Sequence, residues 1–272
     1  LSEIYSKIEK SQYPLKSYKS LLENEFLITA KRLKKLGLID RLIPGGSAQD
    51  NLEKIVGKRY KLVDENYVNF KESYELEPGL IFAVIYIKGA IFDGYSDLSP
   101  FANNSGTGSK TVVEQIAKIK EDNRMKGLIL RIDSPGGSAM ASQEIWDAIM
   151  DLKKKKPVVA HLGDVAASGG YYVASAANKI VSLPGTITGS IGIFTGKFDI
   201  SGLHEKAKIK SDVVKTHVSS DIFDLSRPWT ENELKEIKRL IAEGYDDFLE
   251  AVSKGRNMTK KQVDELGKGR IW

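Results

Sequence analysis

The chain has 272 residues, of which 41% are hydrophobic and 28% are charged, and its formal net charge is +5. These proportions are those of an ordinary globular protein, and they exclude collagen-like and strongly charged disordered chains. The chain contains no cysteine, which excludes disulfide scaffolds, thiol nucleophiles and cysteine-ligated metals. The positive charge is modest and scattered, so we expect no nucleic-acid partner.

No stretch of the sequence is typical of a membrane span. The longest nearly unbroken apolar run is Leu80–Ile87 (LIFAVIYI), well short of the about 18 residues that a span needs. The opening residues, LSEIYSKIEK, are charged and lack the apolar core of a signal peptide. Because the chain opens on Leu, we expect a piece of a longer protein, with any membrane anchor outside this segment.

Three segments follow one another along the chain. Residues 1–43 are predicted to be helical, because apolar side chains recur at helical spacing and Gly37 provides a stop. Residues 44–78 begin with PGGSAQDN and are predicted to be a linker. Residues 79–272 are predicted to form the main domain.

Strands and helices alternate in the main domain. Strands are predicted at 80–91, 127–133, 157–163 and 179–185, and helices at 111–120, 141–154, directly after residue 168, and at 231–254. Thr230, with Glu233 three residues on, indicates the start of the last helix. This alternation predicts an α/β fold of βαβ units with a mainly parallel sheet.

Two further segments, one rich in glycine and one in lysine, are interpreted without a ligand-binding role. Asn103–Thr111 (NNSGTGSKT) resembles a phosphate loop, but its Lys110 follows a serine where the motif requires a glycine. We therefore expect an exposed, mobile connection there and no nucleotide cofactor. The run Lys153–Lys156 is predicted to be a solvated helix end.

Two glycine-containing turns indicate chemistry. One is DSPGGS, with Gly136 and Gly137, and the other is AASGGYY, with Ser168. Both follow predicted strands of a parallel sheet, where such proteins place their ligands. Bare glycine amides can bind an oxyanion, and a serine beside them is the arrangement that acyl transfer needs. The sequence therefore predicts Ser168 as a nucleophile.

A serine nucleophile needs a base to take its proton. The three histidines are interpreted as core, edge or surface residues: His161 lies on a predicted strand, and His204 and His217 lie in charged surroundings. A Ser-His-Asp triad stays open, although no spacing supports it. The other candidate is a lysine kept neutral by desolvation.

Beyond these turns, the residues from Phe82 to Trp272 resemble the family of signal peptide peptidase A, or protease IV. The matching stretches are GLILRIDSPGGS, KPVVAHLGDVAASGGYYVASAANKIVSLPGTITGSIGIF and EGYDDFLEAVSKGRNMTKKQVDELGKGRIW. The resemblance implies a ClpP/crotonase-like superhelix of βαβ units and a Ser-Lys dyad. It assigns Ser168 as nucleophile, the Gly137 amide to the oxyanion hole, and Gly136 and Ser190 to the site lining, with Ser190 orienting the lysine.

The family's lysine is missing from its expected position. Single-repeat members carry it in a motif resembling SGxxK, and the corresponding residue here is Ser220. Two-repeat members take the lysine from the first repeat and the serine from the second, so we expect the base upstream of residue 1. Residues 28–42 then resemble the end of a preceding repeat. Lys197 and Lys215 remain as internal alternatives.

The resemblance also implies partners and a location. We expect hydrophobic peptide substrates, in particular remnant signal peptides, a homotetramer, no metal or other cofactor, and a catalytic part on the extracytoplasmic side of a bacterial cell membrane. Two alternatives stay open: a non-catalytic peptide-binding or assembly module, suggested by the missing lysine, and a crotonase-type acyl-CoA enzyme, since that fold also binds acyl oxyanions through backbone amides.

Overall fold

A computed structural model describes residues 30–35, 81–97, 106–215 and 218–272. The strands are β1 (Ile81–Phe92), β2 (Thr107–Gly108), β3 (Met125–Gly137), β4 (Val158–Ala167), β5 (Lys179–Val181) and β6 (Ile187–Gly189). The helices are α1 (Ala30–Lys35), α2 (Ser109–Glu121), α3 (Ala139–Leu152), α4 (Gly169–Ser175), α5 (Ser201–Ala207), α6 (Glu231–Arg256) and α7 (Lys260–Leu266). None of the described helices has the length and apolarity that a bilayer crossing requires.

The described chain divides into two compact units. The sheet unit comprises Ile43–Gly192 and Tyr245–Trp272, and the smaller unit comprises Leu1–Leu42 and Ile193–Gly244. Only α1 is described from the predicted helical segment 1–43, and the predicted linker 44–78 lies outside the described residues. These two boundaries stay predictions.

All six strands lie in one sheet of the sheet unit and pair in parallel. The order is β2-β1-β3-β4-β5, and β6 pairs with the far end of β4. The predicted α/β fold with a mainly parallel sheet is confirmed. Its core is formed by apolar side chains of the central strands and of α2 and α3, which include Ile87, Leu130, Ile132, Ile145, Ile149 and Leu162.

Strands β3 and β4 extend further than predicted. β3 continues to Gly137 and β4 to Ala167, past the expected ends at residues 133 and 163. Register shifts interrupt the pairing of β3 with both of its neighbours, so the strands bend and continue. β5 is shorter than predicted, since it ends at Val181.

The glycine-rich segment after β1 is more ordered than predicted where it is described. Thr107 and Gly108 form β2 beside Ile91 and Phe92, and both are buried. A Cβ on Gly108 would lie 2.4 Å from the carbonyl oxygen of Gly94. The expectation of an exposed connection is therefore wrong for this part, because close backbone packing holds it in the sheet.

The lysine run after α3 is also not a simple solvated helix end. The Lys153 amine donates to the carbonyl of Ala176 at 2.9 Å. The Lys156 amine donates to the carbonyls of Ile119 and Asp122 at the end of α2, the second at 2.7 Å. These lysines donate to carbonyls at the carboxyl ends of helices, where their charge suits the negative end of the helix dipole.

An ion-pair network holds the smaller unit together at the start of α6. The Arg227 guanidinium donates to Asp221 at 2.9 Å and to both carboxylate oxygens of Glu233, at 2.7 and 2.8 Å. Glu233 also accepts from the Thr230 amide at 2.8 Å, while its own amide donates to the Thr230 hydroxyl at 3.3 Å. The predicted helix start at Thr230 is thus confirmed.

Replacing Lys156 by methionine should lower the free energy of unfolding by about 1–2 kcal/mol, because two carbonyls lose a charged donor. Urea-induced unfolding followed by circular dichroism measures the change. Lys154→Met is the matched control: its side chain is 72% exposed and pairs with Asp151, so the change should stay below about 0.5 kcal/mol. Equal losses in the two variants would contradict the helix-end role of Lys156.

The stability of the smaller unit should depend on pH through Glu233, which is only 3% exposed. Hydrogen bonds from Arg227 lower the pKa of Glu233 to about 2 from its ordinary 4.5. A lowered folded-state pKa means that this stabilisation is complete above the unfolded pKa and is lost as the pH falls from 4.5 toward about 2.

Glu233→Gln should therefore flatten the fall in unfolding free energy over that acidic range, measured by urea titration at several pH values. The exposed Glu231, two residues earlier, provides the matched control variant Glu231→Gln, which should keep the wild-type slope. A wild-type slope in Glu233→Gln would show that the carboxylate is not linked to folding.

Candidate active site

Ser168 stands on a sharp turn between β4 and α4. Its backbone has φ +50° and ψ −120°, a conformation that costs an L-residue about 1–3 kcal/mol. The Ser168 amide donates to the carbonyl of Gly189 at 2.9 Å, and its carbonyl accepts from the Tyr172 amide at 2.8 Å. The side chain does not cap the helix that follows. In α/β-hydrolases, a strained strand-to-helix turn of this kind exposes the nucleophilic serine.

The turn that contains Gly136 lies against this serine. Gly136 has φ +102°, and a Cβ placed on it would lie 2.9 Å from the Ser168 Cβ and 2.6 Å from the amide nitrogen of Gly169. Glycine is therefore required here both by its backbone conformation and by the closeness of the serine. The structure thus brings the two turns together at the carboxyl ends of β3 and β4.

Gly137 is placed to direct its amide toward the serine turn. The Ile91 carbonyl of β1 accepts from the Ser138 amide at 2.8 Å, and successive amides alternate in direction along a strand. The Gly137 amide therefore points away from β1. Its nitrogen lies 3.2 Å from the position that a Cβ on Gly169 would occupy.

The amide of Gly169 is a functional candidate that sequence reasoning missed. Gly169 directly follows Ser168 and packs on Gly136, with the Ser142 hydroxyl 2.5 Å from where its Cβ would lie. Both amides, of Gly137 and of Gly169, thus adjoin the serine. The first glycine in AASGGYY was the available signal, because a residue with a side chain would not fit there.

Ser190 lies one residue beyond Gly189 in a second left-handed conformation, with φ +49°. Its amide donates to the carbonyl of Arg270 at 2.7 Å, and Thr188 and Trp272 exchange two hydrogen bonds of 2.8 and 2.9 Å. Residues 269–272 thus run antiparallel beside β6. This pairing could not be predicted, since the partners are some 80 residues apart along the chain.

An apolar cavity adjoins the same segment. It has a volume of about 270 Å³ and is lined by Tyr171, Thr188, Gly189, Ile191, Val252, Met258, Val263, Leu266 and Trp272. Gly189 is the residue whose carbonyl accepts from the Ser168 amide. An apolar group could therefore be bound close to the serine turn.

The surroundings of His161 agree with its interpretation as a core or edge residue of the sheet. It lies on β4, seven residues before Ser168, which corresponds to about 20 Å along a strand. Its ring contacts the guanidinium of Arg131, its register partner on β3. His161 is therefore out of reach of the serine hydroxyl. His204 contacts Ser211 at 3.4 Å in the smaller unit, and His217 lies outside the described residues.

The two internal candidate lysines both have partners within the smaller unit. The Lys197 amine donates to the Asp224 carbonyl at 2.8 Å and lies 5.7 Å from the centre of the Trp229 ring. The Lys215 amine donates to the carboxylate of Asp221 at 3.1 Å. Ser220, in the position where single-repeat members carry the lysine, is exposed in a turn.

One cluster of carboxylates could approach a cation. Asp246, Asp247 and Glu250 offer oxygens within 4.8 Å of one another. Lys260 already pairs with two of them, at 2.9 Å to Asp246 and 3.3 Å to Glu250. The cluster is thus compensated by a lysine of this chain.

Comparison with known proteins identifies relatives. Residues 150–272 match the family model described as Peptidase family S49. Protease 4 of Haemophilus influenzae is 40% identical over 194 residues, which cover 70% of this chain and 30% of that protein. The chloroplastic serine protease SPPA of Arabidopsis thaliana is 31% identical over 257 residues, which cover 92% of this chain and 38% of that protein.

Protease 4 of Salmonella typhi is similar to the same extent, with 31% identity over 250 residues and 39% of its length covered. This chain therefore spans well under half the length of these relatives. Together with the parallel sheet, the matches show a domain of ClpP/crotonase-like fold, and the chain belongs to the family of signal peptide peptidase A, Peptidase family S49.

Proposed function

We propose that this chain is the serine-bearing part of a Ser-Lys peptidase that hydrolyses apolar peptides, in particular remnant signal peptides. The observation that carries the proposal is the strained turn at Ser168, packed directly against the glycine turn at Gly136. A hydroxyl next to unblocked backbone amides has the parts that acyl transfer requires.

The chemistry follows from the positions of these groups. The Ser168 Oγ attacks the carbonyl carbon of the scissile peptide while the base removes its proton. The amide of Gly137, joined by that of Gly169, stabilises the resulting oxyanion. The base then protonates the leaving amine, and water hydrolyses the acyl-enzyme by the same steps.

The general base is proposed to be a lysine outside residues 1–272. Ser220 occupies the position of the lysine of single-repeat relatives. Within the chain, Lys197 and Lys215 are bound to Asp224 and Asp221, and His161 is too distant. Ser190, next to the residue that binds the Ser168 amide, is proposed to orient the lysine amine.

The apolar cavity beside Gly189 supports apolar peptides as substrates, because it could take up an apolar side chain near the serine. The proposed setting is a homotetramer at a bacterial cell membrane, with the site on the extracytoplasmic side and the anchor outside these residues. This setting rests on the family membership.

Two other candidate functions differ from the peptidase in the role that Ser168 would have. A crotonase-type acyl-CoA enzyme would use the glycine amides without a nucleophilic serine, and a binding module would hold peptides without cleaving them. The strained backbone of Ser168 favours neither, since binding alone gives no reason to hold a serine in that conformation. Covalent labelling of Ser168 by an activated phosphonate separates the peptidase from both.

The principal test compares three proteins on a fluorogenic peptide with an apolar residue before the scissile bond. They are residues 1–272 alone, the same chain joined to its upstream repeat, and the joined form with Ser168→Ala. We expect the joined form alone to cleave, and Ser168→Ala to reduce kcat by at least about 10³-fold.

Ser190→Ala in the joined form is the matched control for a serine of the same segment. It should keep phosphonate labelling of Ser168 at a reduced rate, because the nucleophile and the oxyanion amides remain. Turnover by residues 1–272 alone at a comparable rate would refute an external base, and no cleavage by any form would favour a binding module.

A further inference from the structure

We propose that Ser134 is a positioning residue for the oxyanion site, through a hydroxyl that fixes the peptide between Pro135 and Gly136, directly before the peptide that carries the Gly137 amide. This inference rests on the proposed function. Ser134 is fully buried. Its hydroxyl donates to the carbonyl of Gly89 at 2.5 Å and accepts from the Gly136 amide at 3.1 Å.

The two groups that Ser134 binds both lie where strand pairing is irregular. The register of β1 against β3 shifts between Lys88 and Ala90, and Gly89 at the shift has φ +64°. Bulges of this kind take backbone groups out of the ladder, and a buried group left without a partner costs about 1–3 kcal/mol. A hydroxyl is both donor and acceptor, so one serine satisfies the two groups together.

Ser134 is also in contact with the serine turn through its backbone. Its carbonyl oxygen lies 2.6 Å from the position of a Cβ on Gly170, two residues after Ser168. Its hydroxyl and its carbonyl thus bind the glycine turn on one side and meet α4 on the other. Without the hydroxyl, the Pro135–Gly136 peptide would lose its anchor, and the direction of the Gly137 amide, one peptide unit later, would no longer be fixed from this side.

The test separates binding of a tetrahedral adduct from binding of the peptide. A peptide aldehyde adds the Ser168 oxygen at its carbonyl carbon, the serine proton passes to the new oxygen or to the base, and no group leaves. The corresponding peptide alcohol forms no adduct. The ratio of their dissociation constants therefore reports how well the amides hold the oxyanion.

Both constants are to be measured in the form that cleaves peptides. Ser134→Ala should reduce the preference for the aldehyde by at least about tenfold while affinity for the alcohol stays within about twofold. Ser134→Cys keeps a weaker donor of similar shape, so its preference for the aldehyde should lie between those of the wild type and Ser134→Ala. It replaces the alanine variant if Ser134→Ala does not fold.

Ser175→Ala is the matched control for loss of a buried hydroxyl. Ser175 is also fully buried, accepts from the Trp146 indole at 3.1 Å and donates to the Tyr172 carbonyl at 2.6 Å. It should lower stability without changing the aldehyde preference. A wild-type preference in the Ser134 variants, or an equal loss in Ser175→Ala, would overturn the positioning role.

Ser168→Ala distinguishes failure of this inference from failure of the proposed function. It should bind the aldehyde no better than the alcohol. An unchanged aldehyde preference in Ser168→Ala would overturn the peptidase mechanism and the role of Ser134 with it. Loss of the preference there, together with a wild-type Ser134→Ala, would overturn the positioning role alone.

Discussion

The left-handed backbone at Ser168 is the constraint on which the rest of the site depends. A serine does not adopt φ +50° unless its surroundings hold it there. Here the Gly189 carbonyl accepts from the Ser168 amide, and Gly136 packs so closely against Ser168 that no side chain would fit on Gly136. The strain is thus sustained by neighbours on two different strands, which places the hydroxyl where those strands end.

The helix that follows the serine supplies much of this support. The Tyr172 ring packs on the Phe248 ring with 4.6 Å between their centres, and the Ser134 carbonyl lies against Gly170. Arg256 donates to the Ala177 carbonyl at 2.8 Å, just beyond the helix. Elements before and after α4 along the chain therefore fix it from several sides, and a helix of seven residues could not hold a strained residue at its start alone.

Much of the architecture could be predicted, because it depends on patterns of residues that are close together in the sequence. The alternation of apolar strands and amphipathic helices determines the parallel sheet, and the Thr230–Glu233 pair determines where α6 begins. The two glycine turns could be placed near each other, because parallel strands end at the same edge. The roles of Gly137, Gly136 and Ser190 came from family resemblance, and they stay predictions.

What could not be predicted depends on contacts between distant residues. The bends that extend β3 and β4 arise where Ser134 and its partners meet across three strands. The Lys156 amine finds its carbonyls on a helix more than 30 residues earlier. A charge run or a serine within a turn carries no local sign of such partners.

The antiparallel pairing of residues 269–272 with β6 has a consequence for how a peptide can lie in this unit. One edge of β6 is bonded to β4 and the other to the Arg270–Trp272 backbone. Peptides commonly bind proteases and receptors by adding a strand to a free sheet edge. Neither edge of β6 is free, so the main-chain hydrogen bonds of an extended peptide bound here would come from backbone other than β6.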